Sequence, residues 1–590
     1  MAKDSIEESQ SELQKSKAGV EAVPVKTAGI AETGPEPLSV AIIEDTAGAA
    51  APGERRHIVK SATLVMLGNL GSSLMGMIRQ QVVASLGSSI GAPFTSAISP
   101  AQTFNDFLIN GSINGALIPT FNDYAAAEKR DELRRLVFTM VNLVFIIMLV
   151  AAIGFLFISA WFVPNVQVRG YTAQEKLLTI QYARIIFFSL LALGPFAVLQ
   201  AALFARKEFG WPAVATAAYH IGIILGAIVG SIAGEHYLGY LGIAFGVIIG
   251  AMGEIALLIP GMRNQQLRYM FVLDLKHPAL RRILKLYAPV AFSFLVSAFF
   301  IFLDQSLASQ TPCLSLSSLH PVSHSCGADN YLAMRLATTL IQFPGGLVAT
   351  ALSVAVLPTL AEHARSGDNE RFKATLLLGF RLGLLLMIPA AAGLIVLQLP
   401  IVTLLFQHHN YNPYNSALTA IALQNYAYQL PFVAIDQLLL SAFYARKNTI
   451  TPVVVGIICF AGYLAVALPF WQTIGMPALA FANTVQNSLH PIIMLVLLRL
   501  AIGPMRVREV IPPALKILVA TAAMVVVAWG LQVLLGHTAL FSLNHLLGQF
   551  LTVVVVGCVA VGVYIGGVLV LRVEEIRLMK GVVLARLGKR

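Results

Sequence analysis

An arginine and a row of amide side chains lie inside long apolar stretches of this sequence, where ionisable groups are costly. Arg79 is within the apolar stretch that runs from Ile58 to Leu86. An ionisable side chain in a membrane helix costs about 2.5–3.5 kcal/mol on insertion scales, so it needs a partner or a watery cavity. The planar guanidinium of Arg79 could bind an anion such as a diphosphate, or it could form an ion pair with Asp106.

The next apolar stretch carries a polar stripe. Its members are linked by steps of three and four residues, which places them on one helix face: Gln102, Asn105, Asp106, Asn110 and Asn114. Such a stripe in a membrane helix lines a watery path or holds helices together. We predict a substrate-binding cavity that is lined by Arg79, Gln80, Asn105, Asp106, Asn110 and Arg335.

Other ionisable residues inside apolar stretches have two interpretations each. Arg335 either faces the cavity or snorkels to the surface, and Asp304 is either a site for a coupling cation or a partner for Arg335. Asp436 and Glu254 could be protonated during transport, although structural pairing is the simpler role. Arg381 lies a turn or two from a predicted helix end, so we expect it to snorkel.

The sequence contains no motif that indicates catalysis. It has no GxxxxGK[ST] phosphate loop, no Ser/His/Asp set and no persuasive metal-ligand spacing. We therefore predict a transporter and not an enzyme, without a cofactor, that draws energy from a Na+ or H+ gradient, the membrane potential or the substrate gradient. Cys313 and Cys326 share a predicted outward loop, where an oxidising exterior permits a disulfide, and the sequence leaves both redox states open.

The composition excludes most soluble proteins. The 590-residue chain is 57% hydrophobic and 12% charged, and its mean hydropathy is +0.76. A soluble protein could not hide so much apolar surface from water. The net charge of +11 could suggest a nucleic-acid partner. However, the cations of the body lie mostly in short loops between apolar runs, which is typical of membrane orientation and predicts no nucleic acid.

Fourteen apolar runs are each long enough to cross about 30 Å of hydrocarbon. They predict an all-α polytopic membrane protein with spans at 58–86, 92–121, 136–163, 177–203, 212–233, 238–261, 286–309, 329–361, 374–399, 416–444, 451–471, 475–498, 513–535 and 548–571. The second and eighth spans contain Pro and Gly, so we expect bends or local unwinding there. Lys and Arg concentrate in one set of alternate loops, and the opposite set contains only Arg169 and Lys176. The positive-inside rule then places both termini in the cytoplasm.

Two landmarks recur one repeat length apart. Pro119 and Pro358 lie in similar segments 239 residues apart, and the Arg-Lys pairs that begin at Arg206 and Arg446 are 240 residues apart. This shared offset indicates two parallel six-helix repeats followed by two further helices. The predicted divisions are a disordered tail at 1–57, six helices at 58–262, six helices at 263–500, the last two helices at 501–572, and a basic tail at 573–590.

Five segments resemble the MurJ (MviN) family of lipid II flippases, within the multidrug/oligosaccharidyl-lipid/polysaccharide exporter superfamily. They are Leu74–Gln80, Gly111–Tyr124, Phe302–Ser309, Gln342–Gly346 and Phe443–Thr449. The resemblance implies that an undecaprenyl-diphosphate-linked glycan moves from the inner to the outer leaflet of the bacterial cytoplasmic membrane, for peptidoglycan synthesis. It also implies a cationic head-group cavity between predicted helices 1, 2, 7 and 8, a lipid groove at helices 13 and 14, and a diphosphate contact for Arg79.

The charge pattern differs from that of the family. The position of a second arginine in helix 1 is Ser73. The sodium-binding positions that some relatives have in helix 11 fall near Tyr463 and Ala467, which leaves only Asp304 from that set.

Several functions therefore stay open. They are a lipid II flippase, a flippase for another polyprenyl-linked glycan, and a transport-inactive scaffold that contacts cell-wall synthesis proteins. A drug–cation antiporter fits less well, because Arg79 would repel cations. Convergence of Arg79 and Arg335 on one pocket would favour lipid II, whereas neutralisation of Arg79 by Asp106 would favour the other two.

Overall fold

The computed structural model describes residue 68 and residues 71–106, 117–124, 129–233, 239–316, 319 and 326–576. These residues are almost entirely helical, and the β-structure among them is a single bridge between Leu316 and Leu319. The predicted all-α class is therefore confirmed. The tail predicted at 1–57 and the segment 577–590 of the basic tail lie outside the described residues.

The helices fall into two successive halves and a final pair. The first half contains α1 (71–85), α2 (Ser88–Asp106), α3 (Ile118–Asn122), α4 (Arg130–Phe162), α5 (Ala173–Phe187), α6 (Leu190–Ala205), α7 (Gly210–Ala233) and α8 (Gly242–Asn264). The second half contains α9 (Pro278–Ser309), α10 (Cys326–Pro344), α11 (Thr350–Ser366), α12 (Asn369–Val396), α13 (Gln398–Phe406), α14 (Pro413–Ala427), α15 (Leu430–Ala445), α16 (Ile450–Phe470) and α17 (Met476–Ile502). The final pair is α18 (Ile511–Gly536) and α19 (Leu546–Val570).

Eight described helices are long and apolar enough to cross a membrane, and the pair α5–α6, which is bent by 40°, raises the number to nine if it forms one span. The eight are α4, α7, α8, α12, α16, α17, α18 and α19. The count of fourteen stays a prediction for the rest of the chain. In the predicted eighth span, the chain changes from α- to π-helical hydrogen bonding at Gly345–Ala349, directly after Pro344. This departure from α-helix geometry lies at the predicted Pro-Gly-Gly position.

The two halves repeat each other in backbone detail. Helices α5 and α6 begin and end 240 residues before α14 and α15, respectively. The N-caps Thr172 and Asn412 also lie 240 residues apart, and each side chain accepts a hydrogen bond from the backbone N–H three residues later. Lys207 (φ 60°) and Lys447 (φ 59°) both have the left-handed conformation that side chains rarely adopt. The predicted internal duplication is thus confirmed.

Glycines bring α7 and α8 into backbone contact. A Cβ added at Gly222 would lie 2.3 Å from the Cα of Gly250, and one added at Gly226 would lie 2.5 Å from the carbonyl oxygen of Gly242. Small residues at four-residue spacing allow this close approach. Lipid provides no hydrophobic driving force between membrane helices, so their association depends on close van der Waals packing of this kind.

The outer ends of the halves, in the predicted orientation, are joined by buried hydrogen bonds. The Asn415 amide donates to the hydroxyl of Ser88 over 3.1 Å, and both residues are buried. The Gln167 amide donates across the halves to the Gln305 side-chain oxygen at 3.2 Å, and within its own half to the Ser96 carbonyl at 2.6 Å. Because these groups are shielded from water, their bonds are costly to break.

The inner ends are joined differently. Arg282 at the start of α9 forms an ion pair with Asp123 beyond α3, at 2.9 Å. The two side chains are 52% and 56% exposed, respectively. Exposed ion pairs contribute about 0–1 kcal/mol, so this contact is easier to break than the outer hydrogen bonds.

The final helix pair is anchored by a charge inside the second half. Arg381 of α12 lies 3.7 Å from Glu575, which follows α19 and is 2% exposed, and 3.7 Å from Glu509. The hydroxyl of Tyr564 in α19 donates to the Leu385 carbonyl at 2.6 Å. The expectation that Arg381 snorkels to the surface is wrong, because two carboxylates reach it from the segments that flank the final pair.

Gly226→Leu should destabilise the protein. Its side chain would overlap the α8 backbone, and overpacking of this kind costs about 1–3 kcal/mol. Unfolding of purified protein by sodium dodecyl sulfate provides the measurement. Gly154→Leu is the matched control, because a Cβ there meets nothing within 4 Å. Equal stability of both variants would contradict the packing argument.

Cys313 and Cys326 form a disulfide, and Cys459 and Cys558 are free. Denatured, non-reduced protein should therefore react with two equivalents of maleimide per chain, and reduced protein with four, as read by mass spectrometry. The Cys313→Ser variant should react with three equivalents before and after reduction, because Cys326 is released. Four equivalents without reduction would show that the bridge does not form.

Candidate substrate cavity

Two arginines from different halves interact near the helix ends that the sequence predicts to face outward. Arg79 lies six residues before the end of α1, roughly 9 Å along the helix. Arg335 lies nine residues after the start of α10, roughly 14 Å along that helix. Both side chains are half-buried, and their guanidinium groups interact electrostatically. Like charges repel strongly away from bulk water, so this arrangement favours a bound anion between them.

Helix α7 supplies neighbours of Arg79 that the sequence did not indicate. A Cβ added at Gly76 would lie 3.5 Å from Nε2 of His220, so α1 packs directly on that ring. Arg79 also interacts electrostatically with His220 and Tyr219. The Nδ1 atom of His220 is buried without a hydrogen-bond partner among the described residues. The adjacent pair Tyr219-His220 in an apolar run was the available sequence signal.

The predicted polar stripe is described only in part. Gln80 is half-buried and follows Arg79 directly. Asn105 is half-buried, and its Oδ1 atom has no hydrogen-bond partner in the part of the chain that the structure describes. The Asp106 side chain and Asn110 lie outside the described residues, so the alternative ion pair between Arg79 and Asp106 stays a prediction.

Asp304 contacts a residue from the predicted helix 11. The hydroxyl of Tyr463 in α16 donates to Oδ1 of Asp304 in α9. Phe300 stacks on Phe460 with ring centroids 3.6 Å apart, and Phe460 stacks on Tyr463. The Tyr463 phenol therefore stabilises the Asp304 carboxyl group, and a coupling cation at Asp304 stays a prediction.

The other two acids have different environments. Asp436 pairs with His490, with Nδ1 and Oδ1 2.6 Å apart, which agrees with the structural pairing that the sequence favoured. Glu254 is 5% exposed, and its Oε2 atom has no hydrogen-bond partner among the described groups. Pairing of Glu254 is therefore not seen within this part of the chain.

A sequence model described as "Lipid II flippase MurJ" matches residues 82–555, which is most of the chain. The chain belongs to the MurJ family. The probable lipid II flippase MurJ of Bdellovibrio bacteriovorus is 24% identical over 532 residues, which cover 89% of this chain and 96% of that protein. The lipid II flippase MurJ of Burkholderia cenocepacia is 23% identical over 396 residues, which cover 65% of this chain and 73% of that protein.

Solved structures agree on the fold. A lipid II flippase MurJ in an inward closed conformation superposes with a TM-score of 0.68 at 20% identity, covering 86% of this chain and 98% of that one. An inward-facing multidrug resistance MATE transporter of the MOP superfamily superposes with a TM-score of 0.60 at 14% identity, covering 73% and 94%, respectively. The MurJ-family chain is thus a multi-pass membrane transporter with a fold that the MOP superfamily shares.

Tyr463→Phe should lower the thermal stability of the purified protein. It removes the hydrogen bond to the Asp304 carboxyl, and a hydrogen bond to a charged group contributes about 1.5–3 kcal/mol. Asp304→Asn should cost less, because the amide oxygen still accepts from Tyr463. Tyr428→Phe is the control, since Tyr428 is 44% exposed. If Tyr463→Phe and Tyr428→Phe unfold at the same temperature, the hydrogen bond does not stabilise the protein.

Proposed function

We propose that this protein moves lipid II from the inner to the outer leaflet of the cytoplasmic membrane. The observation that carries the proposal is the approach of Arg79 and Arg335 from opposite halves of a MurJ-family fold. A diphosphate carries enough negative charge to satisfy both guanidinium groups, and each can donate two parallel hydrogen bonds to it. The diphosphate of lipid II is thus the part of the substrate that these arginines recognise.

Alternating access is the proposed route. The contacts between the halves support it, because buried hydrogen bonds close the outer ends and an exposed ion pair joins the inner ends. Breaking the Arg282–Asp123 pair admits the head group from the cytoplasm. Binding between the arginines then neutralises their repulsion, which lets the halves close on the inside and separate on the outside.

The lipid tail stays in the membrane beside the final helix pair. Both helices present large apolar side chains outward, including Val526 and Trp529 of α18 and Val561 of α19, which are 67%, 64% and 56% exposed, respectively. Basic residues in the predicted cytoplasmic loops support an orientation in which both termini are cytoplasmic.

Another polyprenyl-linked glycan is the second candidate. Ser73 occupies the position of a family arginine and is exposed, and the Asn105 acceptor oxygen has no described partner. A sugar hydroxyl could donate to this oxygen. Both features favour a head group that carries less charge than lipid II.

Arg79→Ala should abolish rescue in a bacterium that is depleted of its own lipid II flippase. Loss of hydrogen bonds to a charged group removes about 1.5–3 kcal/mol of binding free energy. Growth and the appearance of lipid II in the outer leaflet are the measurements. Arg335→Ala should have the same effect, because both residues bind one diphosphate.

Arg169→Ala is the matched control, because Arg169 is an exposed arginine outside the cavity. It should rescue as well as the unmodified chain. Failure of the unmodified chain to rescue, despite correct insertion, would contradict lipid II transport. Transport of a different polyprenyl-linked glycan in that case would support the second candidate.

A further inference from the structure

A polar seam runs through the second half, away from the arginine cavity. Three α17 side chains lie at steps of four and three residues, so they share a helix face. They meet polar groups of α14, of α15 and of the N-cap of α15. The polar seam comprises Asn483, Asn487 and His490 on one side and Asn425, Gln429 and Asp436 on the other. Asn487 donates to the Gln429 side-chain oxygen at 2.5 Å and to that of Asn483 at 3.0 Å. Neighbouring Thr484 donates to the Asn425 carbonyl at 2.6 Å.

The seam ends at an imidazole that joins three helices. Nδ1 of His490 in α17 lies 2.6 Å from Oδ1 of Asp436 in α15, and Nε2 lies 3.2 Å from the carbonyl oxygen of Pro452 in α16. Both ring nitrogens therefore face acceptors, but a neutral imidazole has one N–H. Both contacts become hydrogen bonds only when the pair holds an additional proton, either as imidazolium with carboxylate or as imidazole with carboxylic acid.

A third titratable group lies near the pair. The thiol of Cys459 in α16 interacts electrostatically with Asp436. Both members of the pair have side chains 16% exposed. Asp436 lies nine residues before the end of α15, which places it roughly 14 Å from the inner end of that helix. The pair is thus placed inside the membrane, at the end of the polar seam.

The duplicated scaffold does not require this pair. Helix α6 has the same bounds as α15 after the 240-residue shift, and it places the buried Phe196 where α15 has Asp436. The first half therefore folds with an apolar side chain at this position. An ion pair inside a membrane is costly to keep without a function, which argues against a purely structural role.

We propose that Asp436 and His490 form a proton-binding site, reached through the polar seam, that couples proton movement to transport. With the additional proton, His490 holds α15, α16 and α17 together. When the proton leaves, Nε2 and the Pro452 carbonyl oppose each other as two acceptors, and α16 separates from α17. The coupling part of this proposal depends on the proposed transport function, whereas the proton binding does not.

Proton binding is tested by nuclear magnetic resonance on the full chain in lipid nanodiscs, with labelled histidine and aspartate. His490→Gln assigns the imidazole signals. We expect His490 to be protonated on both nitrogens, or Asp436 to carry the proton, at neutral pH. The imidazole should become neutral in Asp436→Asn. A neutral His490 beside an ionised Asp436 in the unmodified protein would overturn the proposal.

Coupling is tested in proteoliposomes that contain lipid II. An imposed pH gradient should change the translocation rate of the unmodified protein, and a sodium gradient should not. Asp436→Asn and His490→Gln should lose the response to the pH gradient. His537→Gln should retain it, because His537 is exposed at the end of α18. A translocation rate that does not change with the pH gradient would overturn the coupling. Absence of translocation under every condition would contradict the proposed function, and the nuclear magnetic resonance experiment would still test proton binding.

Discussion

The high cost of placing a charge in hydrocarbon determines how this protein is built. Three of the intramembrane ionisable groups discussed above are compensated by a partner from another segment: Asp304 by Tyr463, Asp436 by His490, and Arg381 by Glu509 and Glu575. Arg79 and Arg335 come from different halves, and their like charges interact electrostatically. Two like charges that the packing of the halves brings together raise the attraction for an anion at that point. The diphosphate of the proposed substrate supplies such an anion.

Local chemistry made much of the fold predictable. A helix cap, a bend or a left-handed residue depends on a few neighbouring residues, so a duplicated sequence reproduces them. The shared offset of the Arg206 and Arg446 landmarks therefore predicted the matching backbone at Lys207 and Lys447. Apolar length and the distribution of Lys and Arg predicted the membrane class for the same reason, since both are properties of short segments.

The candidate site was less predictable, because its geometry depends on packing between distant segments. Arg79 and Arg335 were each identified as cavity candidates, but only the packing of the two halves brings their charges together. Arg381 was misinterpreted because its partner Glu575 is 194 residues away, and an isolated arginine near a helix end gives no sign of such a partner. His220 and His490 were missed for a related reason. A single histidine in an apolar run acquires meaning only from what its two ring nitrogens face.

The same backbone plan supports two different mechanical properties in the two halves. In the first half, α7 and α8 meet through glycines, so their contact contains few side chains that could change state. In the second half, the equivalent helices α16 and α17 are linked through His490, whose bond to Pro452 depends on one proton. Well-packed backbone contacts resist gradual deformation, whereas a contact that a proton makes or breaks has two discrete arrangements. In this scheme the first half is rigid and the second half changes conformation. The substrate charge binds where the halves meet, and the proton acts on the second half alone. This division explains why the arginines lie between the halves while the Asp436–His490 pair lies within one of them.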